Sequence, residues 1–162
     1  LKSTIPLAVK ISPDINDSQI EEISETISKY DIKALIVSNT SDSHRSTLKS
    51  SNKHQKGGLS GKPLEKISNS LINKFYKILK GKIKIIGVGG VDSGKGVYEK
   101  LQAGAEFVQL YTGMVYKGPG IVNQISKELI KILKDKDVKN YTEVIGNNWN
   151  KLKKGVIYES WK

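Results

Sequence analysis

Residues 82–90, KIKIIGVGG, decide the fold when they are taken with the segment from Ser93 to Ala103 that follows them. The first stretch is an apolar, β-branched run suited to a buried strand, and two glycines end it. The second has the pattern of a short helix, and Gly104 directly after it is a typical residue for a helix C-terminus. A buried strand followed by a helix predicts one β/α unit of a parallel sheet.

The same unit recurs on both sides of this stretch. Three further apolar runs are each followed by a helical pattern, in which apolar residues recur three and four positions apart. The strand-like runs lie at 5–11, 34–37 and 107–111, and the helical patterns lie at 17–30, at 63–80 and from Pro119 onward. Ser18 and Glu21 have the spacing of a capping box at the start of the first helix. The resulting order β-α-β-α-β-α-β-α predicts parallel strands joined by right-handed crossovers.

Chain length limits the architectures that this order allows. The chain has 162 residues, whereas a complete (β/α)8 barrel usually needs about 200–250 residues. Four β/α units therefore predict either a small doubly wound sheet or half of such a barrel. No apolar run approaches the length of about 18 residues that a membrane span needs, and the first residues do not form a signal-peptide pattern.

Composition and charge exclude several kinds of chemical site and make nucleic-acid binding less expected. The sequence contains no cysteine, which excludes disulfides, thiolate nucleophiles and thiolate metal sites. The net charge is +11, but the basic residues are scattered lysines with Arg45 as the single arginine, so nucleic-acid binding is not expected. His44 and His54 have no carboxylate cluster beside them in the sequence, so no metal site is expected.

Polar and glycine residues follow the predicted strands at their carboxyl ends. They are Lys10, then Asn39 and Thr40, then Gly89 and Gly90, and finally Tyr111, Thr112 and Gly113. In α/β barrels this face carries the active site, and phosphate groups bind after the last two strands. The pattern therefore predicts a phosphate-binding site here. Taken singly, Lys10 could also be a surface lysine, and Asn39 with Thr40 could be a simple turn. The polar stretch at 39–61 is long enough to be either disordered or functional.

The residues near the third predicted strand match two nucleotide-binding motifs only in part. Gly89 to Lys95 matches a P-loop, but Gly96 stands where the Ser or Thr that holds magnesium belongs. The dinucleotide-binding fingerprint fails because Asp92 occupies the place of its third glycine. Neither a P-loop NTPase nor a dinucleotide-binding protein is therefore predicted.

Six sequence blocks resemble the dihydroorotate dehydrogenase family in their order and spacing. They are VKISPD at 9–14, IVSNT at 36–40, GGLSGKPL at 57–64, IIGVGGV at 85–91, VQLYTG at 108–113 and GP at 118–119. The resemblance implies an FMN-binding (β/α)8 TIM barrel, of which residues 1–134 supply about the last four β/α units and residues 135–162 a partly helical tail. The GKPL block resembles the membrane-associated, quinone-reducing class of the family.

The resemblance also implies roles for particular residues. Lys10 matches the lysine beside the flavin pyrimidine ring, and Ser38 stands where the family commonly has a threonine that touches the flavin. Asn39 and Thr40 match the pair that binds orotate, although Ser41 replaces the threonine that usually follows. The residues that match positions around the ribityl chain and phosphate are Gly61, Gly89, Gly90, Tyr111 and Thr112. The loop before Gly57 matches the family's active-site lid.

The implied function is oxidation of dihydroorotate to orotate in de novo pyrimidine (UMP) biosynthesis, with FMN as hydride acceptor and quinone as final oxidant. The family's serine base and its membrane-associating helices match nothing in this chain, so no catalytic residue is expected here and the isolated chain is expected to be inactive. For the full enzyme we expect a peripheral location on an inner membrane, cytoplasmic or mitochondrial, with membrane contact only outside this chain.

Three alternatives to this function stay open at the level of the sequence. One is a non-catalytic half-barrel that binds FMN or phosphate, in which open strand edges favour a homodimer. Another is a different phosphate-binding barrel enzyme, such as a lyase or isomerase without flavin. The least expected is a basic nucleic-acid binder.

Overall fold

The computed structural model describes residues 5–46 and 48–147, and it shows alternating parallel strands and helices. The strands are β1 (Leu7–Ile11), β2 (Ile32–Val37), β3 (Lys84–Val88) and β4 (Phe107–Gln109). The helices are α1 (Asp17–Lys29), α2 (Glu65–Leu79), α3 (Gly94–Ala103), α4 (Thr112–Lys117) and α5 (Ile121–Asp135). Short 3-10 turns lie at Ser51–His54, Lys62–Leu64 and Tyr141–Val144.

The four strands lie side by side in the order β1-β2-β3-β4, and every pair is parallel. A doubly wound sheet reverses its strand order at a switch point, whereas a barrel adds strands in one direction. The observed order is therefore that of a barrel segment. This decides between the two architectures that the sequence allowed.

One face of the sheet is covered by helices and forms the larger core. Leu35, Val37 and Ile85 point to this face and pack with Ile20 of α1 and Phe75 of α2. Because side chains alternate along a strand, the residues between them point to the opposite face. That opposite face would be the interior of a closed barrel.

The ends of α1 and α2 differ in detail from the sequence prediction. The capping box of α1 is formed by Asn16 and Gln19, not by Ser18 and Glu21: Gln19 N donates to Asn16 Oδ1 at 2.9 Å and Asn16 N donates to Gln19 Oε1 at 3.0 Å. Both pairs have the same spacing, so the sequence pattern alone did not separate them. The helical pattern at 63–80 included Lys80, but α2 ends at Leu79 and Lys80 is its capping residue, with a φ of 51°.

Helix α4 was not predicted, and the fourth strand is shorter than predicted because this helix follows it closely. The apolar run at 107–111 predicted a strand to Tyr111, but β4 ends at Gln109 and Tyr111 caps α4. Helix α4 has six residues, none of them buried, so it carries no apolar stripe that periodicity could detect. By contrast, α3 ends before Gly104 as predicted, and Ser93, which the sequence pattern placed inside the helix, is its N-terminal cap.

The segment after α5 packs back onto α3. Val144 is fully buried in a second apolar cluster with Leu101 and Ile125, and Gly146 N donates to Leu101 O at 3.0 Å. The tail predicted to be partly helical thus includes one 3-10 turn. Residues 148–162, which belong to the same tail, lie outside the described residues. Among the residues that the structure describes, no helix is both long and apolar enough to cross a bilayer.

Candidate functional site

A cavity of about 1000 Å³ lies at the carboxyl ends of the four strands. Parallel pairing brings these ends to one edge, as the pairs Ile11 with Val37, Val37 with Gly87 and Val88 with Gln109 show. All the residues that the resemblance assigned to flavin or substrate binding line this cavity: Lys10, Ser38, Asn39, Thr40, Gly61, Gly89, Gly90, Tyr111 and Thr112. The fold therefore gathers side chains and loops from all four strand ends around one space.

Lys10 reaches the cavity because of its position in β1. Its neighbours Val9 and Ile11 pack toward the helices, so the side chain of Lys10 points to the opposite face of the sheet. Among the described residues, no carboxylate lies within ion-pair distance of Lys10. Lys10 thus presents its positive charge to the cavity.

The backbone after β2 is held on both sides. Ser38 N donates to Val88 O of β3 at 3.2 Å, and Asn39 N donates to Ile11 O of β1 at 2.8 Å. Ser38 is buried and its hydroxyl donates to Asn39 O at 3.1 Å, while the peptide bond between Val37 and Ser38 is cis. These contacts fix the backbone from which the exposed side chains of Asn39 and Thr40 enter the cavity.

Thr40, near the start of the long loop (residues 39–61), packs against Gly58 near the end of the same loop. A Cβ atom added at Gly58 would lie 2.0 Å from Thr40 Oγ1, so only glycine fits beside Thr40. The two arms of the loop meet close by, where Ser41 N donates to Leu59 O at 3.1 Å and Leu59 N donates to Ser41 O at 2.7 Å. The described residues of the long loop therefore form one wall of the cavity.

The opposite end of the cavity joins three loops. Gly61, with a φ of 78°, packs against Thr112, and Thr112 Oγ1 donates to Ser60 Oγ at 2.9 Å. Gly90, with a φ of 74°, packs so closely on α2 that a Cβ atom would lie 2.5 Å from Glu65 Cβ. Glycine is needed at both positions because L side chains rarely adopt these φ values. This end is a backbone-lined pocket of the kind that holds phosphate groups.

Positive charge dominates the lining. The charged lining residues are Lys10, Arg45, Lys53, Lys56, Lys62, Lys117 and a single carboxylate, Asp92. Asp92 is itself engaged, since Lys62 Nζ lies 3.1 Å from its Oδ1 and Lys117 Nζ donates to its backbone oxygen at 2.9 Å. Burial acts to lower the pKa of Lys62, but hydrogen bonds to Glu65 and Asp92 and the charges of these two carboxylates together outweigh burial and raise it. The cavity therefore favours an anionic ligand.

Sequence reasoning missed the residues that hold the long loop. Asp14 accepts from Ser41 Oγ at 2.6 Å and from Asp42 N at 2.7 Å. Arg45 donates to the backbone oxygens of Lys53, Gln55 and Gly57. Burial acts to raise the pKa of Asp14, but its hydrogen bonds and its charge interaction with His44 together outweigh burial and lower it.

Sequence reasoning also missed a buried polar cluster behind the Gly89–Gly90 loop. Lys100 is 0% exposed, and its Nζ donates to Ser68 Oγ at 3.0 Å and to Asn69 Oδ1 at 2.9 Å. The detectable signal is that Lys100 falls on the apolar stripe of α3, three residues after Val97 and one before Leu101. A lysine at such a position is rarely fully buried.

Comparisons with known proteins agree with this geometry. A family model described as dihydroorotate dehydrogenase matches residues 2–133. The chain is 41% identical over 125 residues to a Pasteurella multocida protein named dihydroorotate dehydrogenase (quinone), which covers 77% of this chain and 37% of that protein. It is 42% identical over 142 residues to an Arabidopsis thaliana protein named dihydroorotate dehydrogenase (quinone), mitochondrial, which covers 87% of this chain and 31% of that protein.

Solved structures support the same assignment. The crystal structure of DHODH from Eimeria tenella in complex with ferulenol matches with a TM-score of 0.85 at 35% identity, over 89% of this chain and 38% of that chain. The chain thus spans about a third of the length of the proteins it matches. Its four β/α units are part of a (β/α)8 TIM barrel, and the chain belongs to the dihydroorotate dehydrogenase family.

Proposed function

We propose that the protein to which this chain belongs oxidises dihydroorotate to orotate, with FMN as hydride acceptor and quinone as final oxidant. This chain would supply the flavin site and part of the substrate site. The observation that carries the proposal is the cation-lined cavity at the strand ends, to which all nine residues implied by the family resemblance contribute.

The residues present fit FMN and an orotate-like anion. Glycine-bearing loops around Gly61 and Gly90 suit a phosphate group, and the cavity of about 1000 Å³ has room for a flavin. FMN supplies the hydride-accepting chemistry when it is bound. The Lys10 ammonium would stabilise negative charge that develops on the adjacent ring system. The amide of Asn39 and the hydroxyl of Thr40 would hydrogen-bond the substrate, and the anchored Ser38 would fix the orientation of both.

The proposal places the general base outside this chain. The family's serine base has no counterpart in the matched blocks, so the isolated chain is proposed to bind flavin without turnover. Membrane contact and a peripheral location on an inner membrane are likewise proposed for parts of the protein outside this chain. The homodimer expected from open strand edges stays a prediction, as does the division at residue 134.

An FMN titration of the 162-residue chain tests the flavin site directly. Quenching of flavin fluorescence should saturate at an equimolar endpoint. Lys10→Met should weaken binding by about tenfold, the loss that a charged contact of about 1.4 kcal/mol produces. The matched control is Lys131→Met, which removes an exposed lysine of α5 and should leave binding unchanged.

The complete barrel provides the second arm of the experiment. The unmatched amino-terminal part of the Pasteurella multocida relative is joined to the amino terminus of this chain. Dihydroorotate is then added to this fusion under anaerobic conditions. Bleaching of the flavin absorbance should follow in the fusion and be abolished by Lys10→Met. A fusion that folds but binds no flavin would overturn the proposal and favour a barrel enzyme without flavin.

A further inference from the structure

Lys100 occupies an unusual place for a lysine. Its side chain is completely buried between α3 and α2, and its stem crosses close to β3, where a Cβ atom at Gly87 would lie 3.1 Å from Lys100 Cδ. Gly87 therefore leaves the space that this stem needs. Burying an ammonium group costs free energy unless it is well compensated, so a leucine or methionine would fill this space at lower cost.

The hydrogen-bond partners of Lys100 are neutral. Nζ donates to the hydroxyl of Ser68 and to the amide oxygen of Asn69. Among the described residues, no carboxylate lies within ion-pair distance of this ammonium group. The positive charge is therefore solvated by dipoles and is not cancelled locally.

The charged groups on the surrounding elements act on Lys100 at longer range. Burial lowers the pKa of Lys100 to about 8, Glu65 of α2 and Glu99 of α3 act to raise it, and Lys62 acts to lower it further. From α5, Glu128 is engaged at the amino end of α3, where it accepts a hydrogen bond from Gly94 N. With a pKa near this value, Lys100 is mostly protonated at neutral pH and becomes neutral in mildly alkaline solution.

A short path joins this charge to the loop that lines the cavity. Ser68 Oγ, which accepts from Lys100, donates to Val88 O at 2.5 Å at the end of β3. Ser68 also lies directly behind the next residue, since a Cβ atom at Gly89 would be 3.3 Å from Ser68 Cβ and 3.6 Å from its Oγ. The ammonium group is therefore one hydroxyl away from the Gly89–Gly90 loop.

We propose that Lys100 is a positioning residue of the phosphate end of the cavity. Through Ser68 it holds the Gly89–Gly90 loop, and its buried charge favours a phosphate dianion in front of that loop. The inference rests on the proposed function because FMN is the phosphate-bearing ligand concerned. It goes further by assigning phosphate selectivity to a side chain that does not line the cavity.

The test compares FMN with riboflavin, which carries the same ring system without the phosphate. Both ligands are titrated at pH 7.5 into the wild-type chain, Lys100→Met and the control Lys131→Met, first with the chain alone and then with the fusion described above. Lys100→Met should weaken FMN binding by about tenfold or more, because a buried charge–phosphate interaction is lost. Riboflavin affinity should change by less than about twofold, within the scatter of neutral substitutions, and the control should bind both ligands like the wild type.

A pH profile separates an electrostatic role from a purely structural one. The phosphate is a dianion above about pH 7, since its second pKa is near 6. Wild-type FMN affinity should be highest near pH 7, about twofold weaker at pH 8, and weaker still at higher pH as Lys100 of the free protein loses its proton, whereas riboflavin affinity stays level. The profile for FMN binding to Lys100→Met should be flat. Because the wild-type profile needs no variant, it tests the proposal even where Lys100→Met does not fold.

The outcomes distinguish this proposal from the proposed function. Equal losses of FMN and riboflavin in Lys100→Met, or a wild-type FMN profile that is level to pH 9.5, would overturn the role of Lys100 and leave the flavin site standing. Unchanged FMN binding in Lys100→Met would do the same. Failure of the wild-type chain and of the folded fusion to bind FMN would overturn the proposed function, and the role of Lys100 with it.

Discussion

The hydroxyl of Ser41 donates a 2.6 Å hydrogen bond to Asp14 Oδ1, across 27 residues of sequence. Asp14 follows β1, and Ser41 is the fully buried residue at which the two arms of the long loop pair. The same hydroxyl accepts from the backbone N–H groups of Ser43 and His44 at 3.1 Å. One carboxylate thus anchors the wall of the cavity to the sheet.

Replacement of this carboxylate should loosen the loop while the core stays intact. In Asp14→Asn the charge-assisted bonds to Ser41 and Asp42 are lost or weakened, and each is worth about 1.5–3 kcal/mol. We expect amide hydrogen exchange at residues 42–44 to accelerate by about tenfold or more. Exchange in β2 and β3 should not change. Asp31→Asn, which alters an exposed carboxylate, serves as the control, and equal exchange in both variants would contradict the anchoring role.

The pH dependence of this anchor has a definite sign. Because the pKa of Asp14 lies below its usual 3.8 in the folded chain, its contribution to stability is fully present above that value and is lost as the pH falls through the lowered pKa. Protection of the amides of residues 42–44, taken relative to the intrinsic exchange rate at each pH, should therefore fall in acid more steeply in the wild type than in Asp14→Asn. The measurement is the same exchange experiment repeated between pH 5 and pH 3.

Arg45 should control the shape of the long loop's outer half. Its guanidinium donates to three backbone oxygens, an arrangement that a lysine ammonium cannot reproduce with the same planar geometry. Limited proteolysis should therefore cut Arg45→Lys within residues 45–57 at least about tenfold faster, while the melting temperature changes little because few core contacts are lost. A control substitution, Lys49→Arg, should leave the wild-type cleavage pattern. Uncut loop in Arg45→Lys would show that the remaining contacts suffice.

Gly58 should be intolerant of any side chain because of Thr40. A Cβ atom added at Gly58 would lie only 2.0 Å from Thr40 Oγ1 and would therefore displace this hydroxyl. In the fusion, Gly58→Ala should weaken orotate binding by about tenfold, the value of one lost hydrogen bond to a charged ligand, and leave FMN binding nearly unchanged. The control is Gly120→Ala, where no heavy atom lies within 4 Å of the added Cβ. If Gly58→Ala lost FMN binding and orotate binding together, the substitution would disturb the folded structure as a whole, and a specific role of Gly58 in substrate recognition would be contradicted.

Local sequence patterns predicted the order of the elements and the gathering of Lys10, Asn39 and Thr40 at the strand ends. Both follow from periodicity and from the rule that parallel strands present their carboxyl ends at one edge. The anchors were not predictable in this way, because Asp14 meets Ser41, and Lys100 meets Ser68, across contacts that only the folded chain creates. Helix α4 was not predicted for a different reason: it buries no residue, so its sequence has no apolar face to detect.

The buried ammonium of Lys100 should also appear in the stability of the chain itself. An unfolded lysine titrates near 10.4, whereas burial lowers the pKa of Lys100 to about 8. Between these values the unfolded state binds the additional proton, so stability rises with pH, and the cost of burying the charge is fully present only below pH 8. From pH 7 to pH 9.5 this residue should add about 2 kcal/mol to the free energy of unfolding.

Urea unfolding at the two pH values measures this contribution as a difference between proteins. All other lysines titrate alike in the wild type and in Lys100→Met, so the rise of about 2 kcal/mol should appear in the wild type and be missing from the variant. Lys131→Met should follow the wild type because its lysine is exposed in the folded chain. Parallel pH dependence in the wild type and Lys100→Met would mean that Lys100 keeps its proton when buried, and the alkaline loss of FMN affinity would then have to come from another group.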